Sequence, residues 1–136
     1  MLSLTLATEL HEAGLRWDPA PGDRFTIRSP ELLGEVFTVS EMTNQVHEYP
    51  SGTIFGFNGT TEWALDSVTK DATVWLPSEE QLRARLGRAF VSLRSDDASY
   101  VVTTRVGEGP ESSFRASAAE DAYGRALLDL MARATH

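Results

Sequence analysis

No cysteine occurs among the 136 residues of this chain. That excludes disulfides, thiolate catalysis, iron–sulfur clusters and cysteine-type zinc sites together, and it fits a reducing compartment. Lysine is nearly absent as well: Lys70 is the one lysine among twelve basic residues, and the others are arginines. A Walker-type phosphate loop needs Gly-Lys-Ser/Thr running into a helix, and Lys70 has no neighbouring glycine. Long hydrophobic runs are missing, since no apolar stretch approaches the roughly 18 residues a membrane-spanning helix requires. The opening MLSLTLATELHEAG lacks a basic n-region and is interrupted by Glu9, His11 and Glu12, unlike a signal peptide. Positive charge is scarce overall: twenty acidic against twelve basic residues give a net charge of −8. A nucleic-acid backbone or an anionic membrane would have to approach against that field, so neither is expected as a partner. The expected protein is soluble, acidic and cytoplasmic.

The apolar residues that are present fall into short periodic segments. Leu2, Leu6, Leu10 and Ala13 repeat at helical spacing and predict a helix from about Ser3 to Ala13, with Gly14 as its C-terminal cap. Two prolines and a glycine between Asp18 and Asp23 break the chain, and strands are expected over 24–28 and 35–39 as an antiparallel pair. After Val74-Trp75-Leu76, Ser78 and Gln81 form a capping box that opens a second helix with Leu82, Leu86 and Ala89 on its apolar face. Strands follow from Phe90, over 100–106 and over 113–116, the last two around the Gly107–Pro110 loop. Ser117 and Glu120 predict another capping box, and Ala119, Ala122, Tyr123, Ala126, Leu127, Leu130 and Met131 trace the apolar stripe of a C-terminal helix. This order lacks the βαβ alternation of a parallel sheet. It predicts a single α+β domain over residues 1–136, with a mainly antiparallel sheet and helices at the N-terminus, the middle and the C-terminus.

The most distinctive segment is Thr43–Leu65, TNQVHEYPSGTIFGFNGTTEWAL. Pro50-Ser51-Gly52 and Asn58-Gly59 sit between β-prone runs and predict a three-stranded meander. It also holds His47, Glu48, Tyr49, Phe55, Phe57, Asn58, Glu62 and Trp63, the candidate binding residues. Phe55, Phe57 and Trp63 cannot all point inward from an alternating strand, so an aromatic surface suited to interaction is expected. Metal binding is not expected, because His11, His47 and His136 share no HxH, HxxxH or HExxH spacing. The glycines of the segment punctuate turns rather than a strand–helix junction, which argues against a nucleotide loop. No G-x-S-x-G elbow is present, and Glu79-Glu80 and Asp96-Asp97 are explained by a helix N-terminus and a turn. Trp17, Trp63 and Trp75 read as core or core-edge residues rather than a ligand cage.

Read in order, VHEYPSGTIFGFNGTTEWALDSV and VWLPSEEQLRARLG, together with Gly22-Asp23-Arg24-Phe25 and Ala122-Tyr123-Gly124, make the chain resemble a group of short actinobacterial proteins. Some of these carry the name of a CpaE-type pilus assembly protein. That name implies a ParA/MinD-like ATPase, whose Gly-Lys-rich phosphate loop is missing here. The resemblance implies a shared small fold, with the central segment as its most distinctive part. The leading expectation is a non-catalytic interaction domain that uses no cofactor and binds a protein partner or itself through residues 43–65. The alternative is a small enzyme or ligand binder with His47, Glu48, Asn58 and Glu62 around a pocket. A third is an acidic inhibitor or immunity-type protein with its carboxylates gathered on one face.

Overall fold

Ser3 begins the first helix by two bonds: its hydroxyl accepts the Leu6 N–H at 3.3 Å and its carbonyl accepts the Ala7 N–H at 2.9 Å. The helix, α1, runs over Leu4–Glu12 and buries Leu6, Ala7 and Leu10. It ends where Gly14 turns to φ +99, a conformation that costs a glycine little. There the Gly14 N–H donates to the His11 carbonyl at 3.1 Å and the Leu15 N–H to the Leu10 carbonyl at 3.0 Å, the paired bonds of a Schellman motif.

The computed structural model describes residues 1–28, 34–39, 46–49, 52–55 and 72–134, with the backbone alone described over 46–49 and 52–55. The element order is α1, β1 (Arg24–Ile27), β2 (Phe37–Thr38), β3 (Val46–Tyr49), β4 (Gly52–Phe55), β5 (Thr73–Trp75), α2 (Glu79–Leu86), β6 (Phe90–Asp96), β7 (Ser99–Arg105), β8 (Glu111–Ala116) and α3 (Ala119–Ala134). A short 3₁₀ turn, Gly87–Ala89, links α2 to β6. Every strand pairing among the described residues is antiparallel, and the fold is α+β with N-terminal, middle and C-terminal helices. The chain divides into two compact units, Met1–Leu15 with Pro77–His136, and Arg16–Leu76.

In the unit Arg16–Leu76, β1 is the middle strand of a sheet ordered β2-β1-β5. The register places Phe37, Phe25 and Trp75 in one row across it, and cross-strand aromatic pairs of this kind are a main source of sheet stability. Phe25 lies 5.6 Å from Phe37 and 5.4 Å from Trp17 between ring centroids, and Trp17 stacks on Trp75 at 6.3 Å. Trp17 and Trp75 are buried, as the sequence predicts. The alternation read over 24–28 places Phe25 and Ile27 inside, yet Thr26 between them is also buried at 1 % exposure. A central strand is covered on both faces, and Thr26 satisfies its hydroxyl by accepting the Gly34 N–H at 3.2 Å.

In the other unit, α3 packs on α1, on α2 and on the meander β6-β7-β8. Its stripe is buried through Ala119, Ala122, Tyr123, Ala126 and Leu127, while Leu130 and Met131 are half-buried. Gly124 allows the close approach of α1, since a Cβ there would stand 2.9 Å from Leu2 Cδ1. The capping box at α2 forms as read, with Ser78 accepting the Gln81 N–H and Gln81 accepting the Ser78 N–H. The one predicted at Ser117 is replaced. Helix α3 opens at Ala119, so Glu120 is its second residue, and the Glu120 carboxylate is held by its own N–H and by the Met1 amino group at 3.1 Å. Asp121 accepts the Ser3 N–H at 2.7 Å, which ties the first turns of α1 and α3 together.

Candidate functional site

Four of the eight candidate binding residues lie on described backbone. Val46–Tyr49 and Gly52–Phe55 pair as a hairpin in which Val46 opposes Phe55, His47 opposes Ile54, Glu48 opposes Thr53 and Tyr49 opposes Gly52. The local reason is plain: Val46, Tyr49, Thr53, Ile54 and Phe55 make both runs β-prone, and Pro50 and Ser51 are the residues between them. His47, Glu48, Tyr49 and Phe55 therefore have fixed register positions. Phe57, Asn58, Glu62 and Trp63 lie outside the described residues, as do the Asn58-Gly59 turn and the third strand of the expected meander. The pocket imagined from His47, Glu48, Asn58 and Glu62 is thus represented by two consecutive positions on β3. The β3–β4 pair is a two-stranded sheet in its own right, and among the described residues neither strand has a second neighbour.

Two features escaped the sequence reading. Asp23, read there as the end of a Pro/Gly loop and as part of the resemblance, is buried at 7 % exposure. Its Oδ2 accepts the Trp17 indole N–H at 2.9 Å and the Ala20 N–H at 3.0 Å, which fixes the loop against the aromatic row. Gly22 carries the turn at φ +92 and donates to the Val39 carbonyl at 2.8 Å. The only signal available was an acid three residues after Ala20 and six after a tryptophan, which is too weak to act on.

The second feature is an open groove of about 570 Å³ along α1 and α3, lined by Thr5, Leu6 and Glu9 on one side and Asp121, Arg125, Leu128 and Asp129 on the other. The alternating acid–arginine face read on the last helix is only partly paired. Arg133 bonds Asp129 at 2.8 Å, while Asp121 is turned to Ser3. The groove therefore brings carboxylates beside apolar side chains. Among the described residues no group of three or more His, Asp or Glu is placed to hold a metal. Among them too, no helix is long and apolar enough to cross a membrane.

Buried polar chemistry in this unit centres on Tyr123. Its ring stacks on Phe90 at 5.8 Å, and the Arg83 guanidinium lies over the other ring at 4.2 Å from the Phe90 centroid. Burial pushes the Tyr123 hydroxyl above its ordinary pKa, and the nearby Glu79 charge adds to this against the opposing effect of Arg83. Such a phenol is a structural group held neutral, not an activated one. The chain is an α+β protein, and the candidate binding residues on described backbone lie on the β3–β4 hairpin. No family model, curated protein or solved structure matches the chain.

Proposed function

We propose that the protein is a non-catalytic cytoplasmic interaction domain that binds a protein partner or itself through residues 43–65. One observation carries this reading: β3 and β4 form a separate two-stranded sheet, with each strand paired only to the other among the described residues. A lone hairpin is marginally stable in water and gains from a third strand. Strand addition by a bound peptide supplies that strand through main-chain hydrogen bonds, with side chains giving specificity. The aromatic residues of the segment suit such a contact, since aromatics are enriched at interface centres. The acidic balance of the chain favours partners other than nucleic acid or anionic membrane. The resemblance to short actinobacterial proteins belongs to the same reading, with the central segment as its most distinctive sequence.

Affinity capture from cells of the native host, with wild-type protein and Trp63→Ala side by side, tests the proposal. A defined partner retained by the wild type and lost from the variant is the expected result. Identical retrieval by both proteins contradicts it.

A further inference from the structure

The sheet β6-β7-β8 has two edges of different character. At the β6 edge the register slips between Phe90 and Ser92, and a bulge of this kind disrupts further pairing. The β8 edge is regular: six consecutive residues, Glu111 to Ala116, pair with β7 without a break, and among the described residues nothing pairs on the other side. Alternation divides its side chains. Ser112 faces α3, because Arg133 donates to its hydroxyl at 3.2 Å, so Ser112, Phe114 and Ala116 share that face. Glu111, Ser113 and Arg115 lie on the opposite face and are exposed. Ser113 Oγ meets Thr103 Oγ1 at 3.1 Å, and Arg115, with 58 % of its side chain exposed, reaches Asp96 at 2.9 Å.

Charges on an edge strand ordinarily guard against edge-to-edge pairing. Here the two charges are opposite in sign and stand two positions either side of Ser113, which changes what they do. We propose that β8 joins β8 of a second copy, antiparallel about a two-fold axis through Ser113, and continues the two meanders as one six-stranded sheet. In that register each Glu111 faces Arg115 of the other copy, giving two opposite-charge cross-strand pairs. Registers centred on Glu111 or on Arg115 set like charges face to face, and those centred on Ser112 or Phe114 leave both charges without a charged partner opposite, so the charge pattern favours the Ser113-centred one. The main-chain groups of β8 supply the hydrogen bonds of the new ladder, and the charges supply its register. The pairing uses no residue of 43–65, so it stands or falls independently of the hairpin reading.

Sedimentation of the full chain from low to high micromolar concentration reads the association directly. The wild type is expected to reach the mass of a dimer. Glu111→Arg and Arg115→Glu are each expected to shift it toward monomer by at least tenfold in dissociation constant, and the double exchange E111R/R115E is expected to restore the dimer. Because the chain has no cysteine, Ser113→Cys provides a second readout. Directly opposed strand residues sit about 4.5–5.5 Å apart between Cα atoms, within disulfide reach, so the variant is expected to form a covalent dimer on mild oxidation. Glu111→Cys is expected not to, since in this register its own copy lies about 13 Å along the strand. Circular dichroism confirms that each variant is folded, and the cysteine pair decides the matter if a charge variant is not. A wild type that stays monomeric at every concentration overturns the proposal. So does a dimer that ignores the single charge changes, or a folded double exchange that stays monomeric.

Discussion

The indole N–H of Trp17 donates to Asp23 Oδ2 across 2.9 Å, and the same oxygen accepts the Ala20 N–H at 3.0 Å. One buried carboxylate oxygen thus holds a loop and an aromatic side chain in place. Asp23→Ala removes the acceptor of two N–H groups, one on a side chain that is 5 % exposed, and losses of this type cost about 1–3 kcal/mol. Urea unfolding followed by tryptophan fluorescence is expected to show a lower midpoint with little change in slope. Asp23→Asn keeps one oxygen and is expected to lose less.

Ser78 and Gln81 satisfy each other's backbone N–H groups at the start of α2. Ser78→Ala is expected to cost about 0.5–2 kcal/mol, and Ser78→Gly only a few tenths. Thermal denaturation of the two variants beside wild type checks the order. Equal losses in both would mean that the side-chain bond contributes nothing.

Gly124 separates two effects of opposite sign. Alanine in a helix interior is favoured over glycine by about 1 kcal/mol, whereas its Cβ would meet the end of the buried Leu2 side chain at 2.9 Å. The struck atom is the tip of a flexible side chain, so Leu2 can move, and Gly124→Ala is expected to fall within about 1 kcal/mol of wild type. Gly124→Leu leaves Leu2 and Leu6 no such room and is expected to destabilise by about 1–3 kcal/mol. Chemical denaturation of both variants measures the difference.

Tyr123 makes stability fall at alkaline pH. In the unfolded chain its hydroxyl loses a proton at about pH 10, while burial holds the folded group protonated to higher pH. Over that window the folded state binds more protons, so its stabilising contribution is complete below the ordinary tyrosine range and is lost as pH rises through the raised value. Urea midpoints at pH 8 and at about pH 11 are expected to separate more for wild type than for Tyr123→Phe, which has no proton to lose. Parallel curves would show that other groups govern the alkaline loss.

Local chemistry explains which elements were readable in advance. Helix α1 lies within one residue of its expected bounds because Ser3 and Gly14 act on their own neighbourhood, and the box at Ser78 is equally local. The hairpin of β7 and β8 was visible from the Gly107–Pro110 loop between two β-prone runs. What failed was decided by residues far away in the chain. Asp121 turns to the Ser3 N–H across 118 positions of sequence, and Thr26 is buried on a middle strand whose neighbours β2 and β5 come from separate parts of the chain. No local window holds that information. For the candidate site, turn chemistry foretold the β3–β4 pairing, and the register now fixes His47, Glu48, Tyr49 and Phe55. Phe57, Asn58, Glu62 and Trp63, read from the Asn58-Gly59 turn and the alternation around it, lie outside the described residues.

The central claim is that the hairpin gains a strand from whatever it binds. Amide hydrogen exchange over residues 46–49 and 52–55, compared between the protein alone and the protein with its captured partner, tests it most directly. Exchange is expected to slow along one strand of the hairpin on binding, while the amides of β7 and α3 are unchanged. Protection that appears elsewhere and leaves both hairpin strands as they were would contradict it.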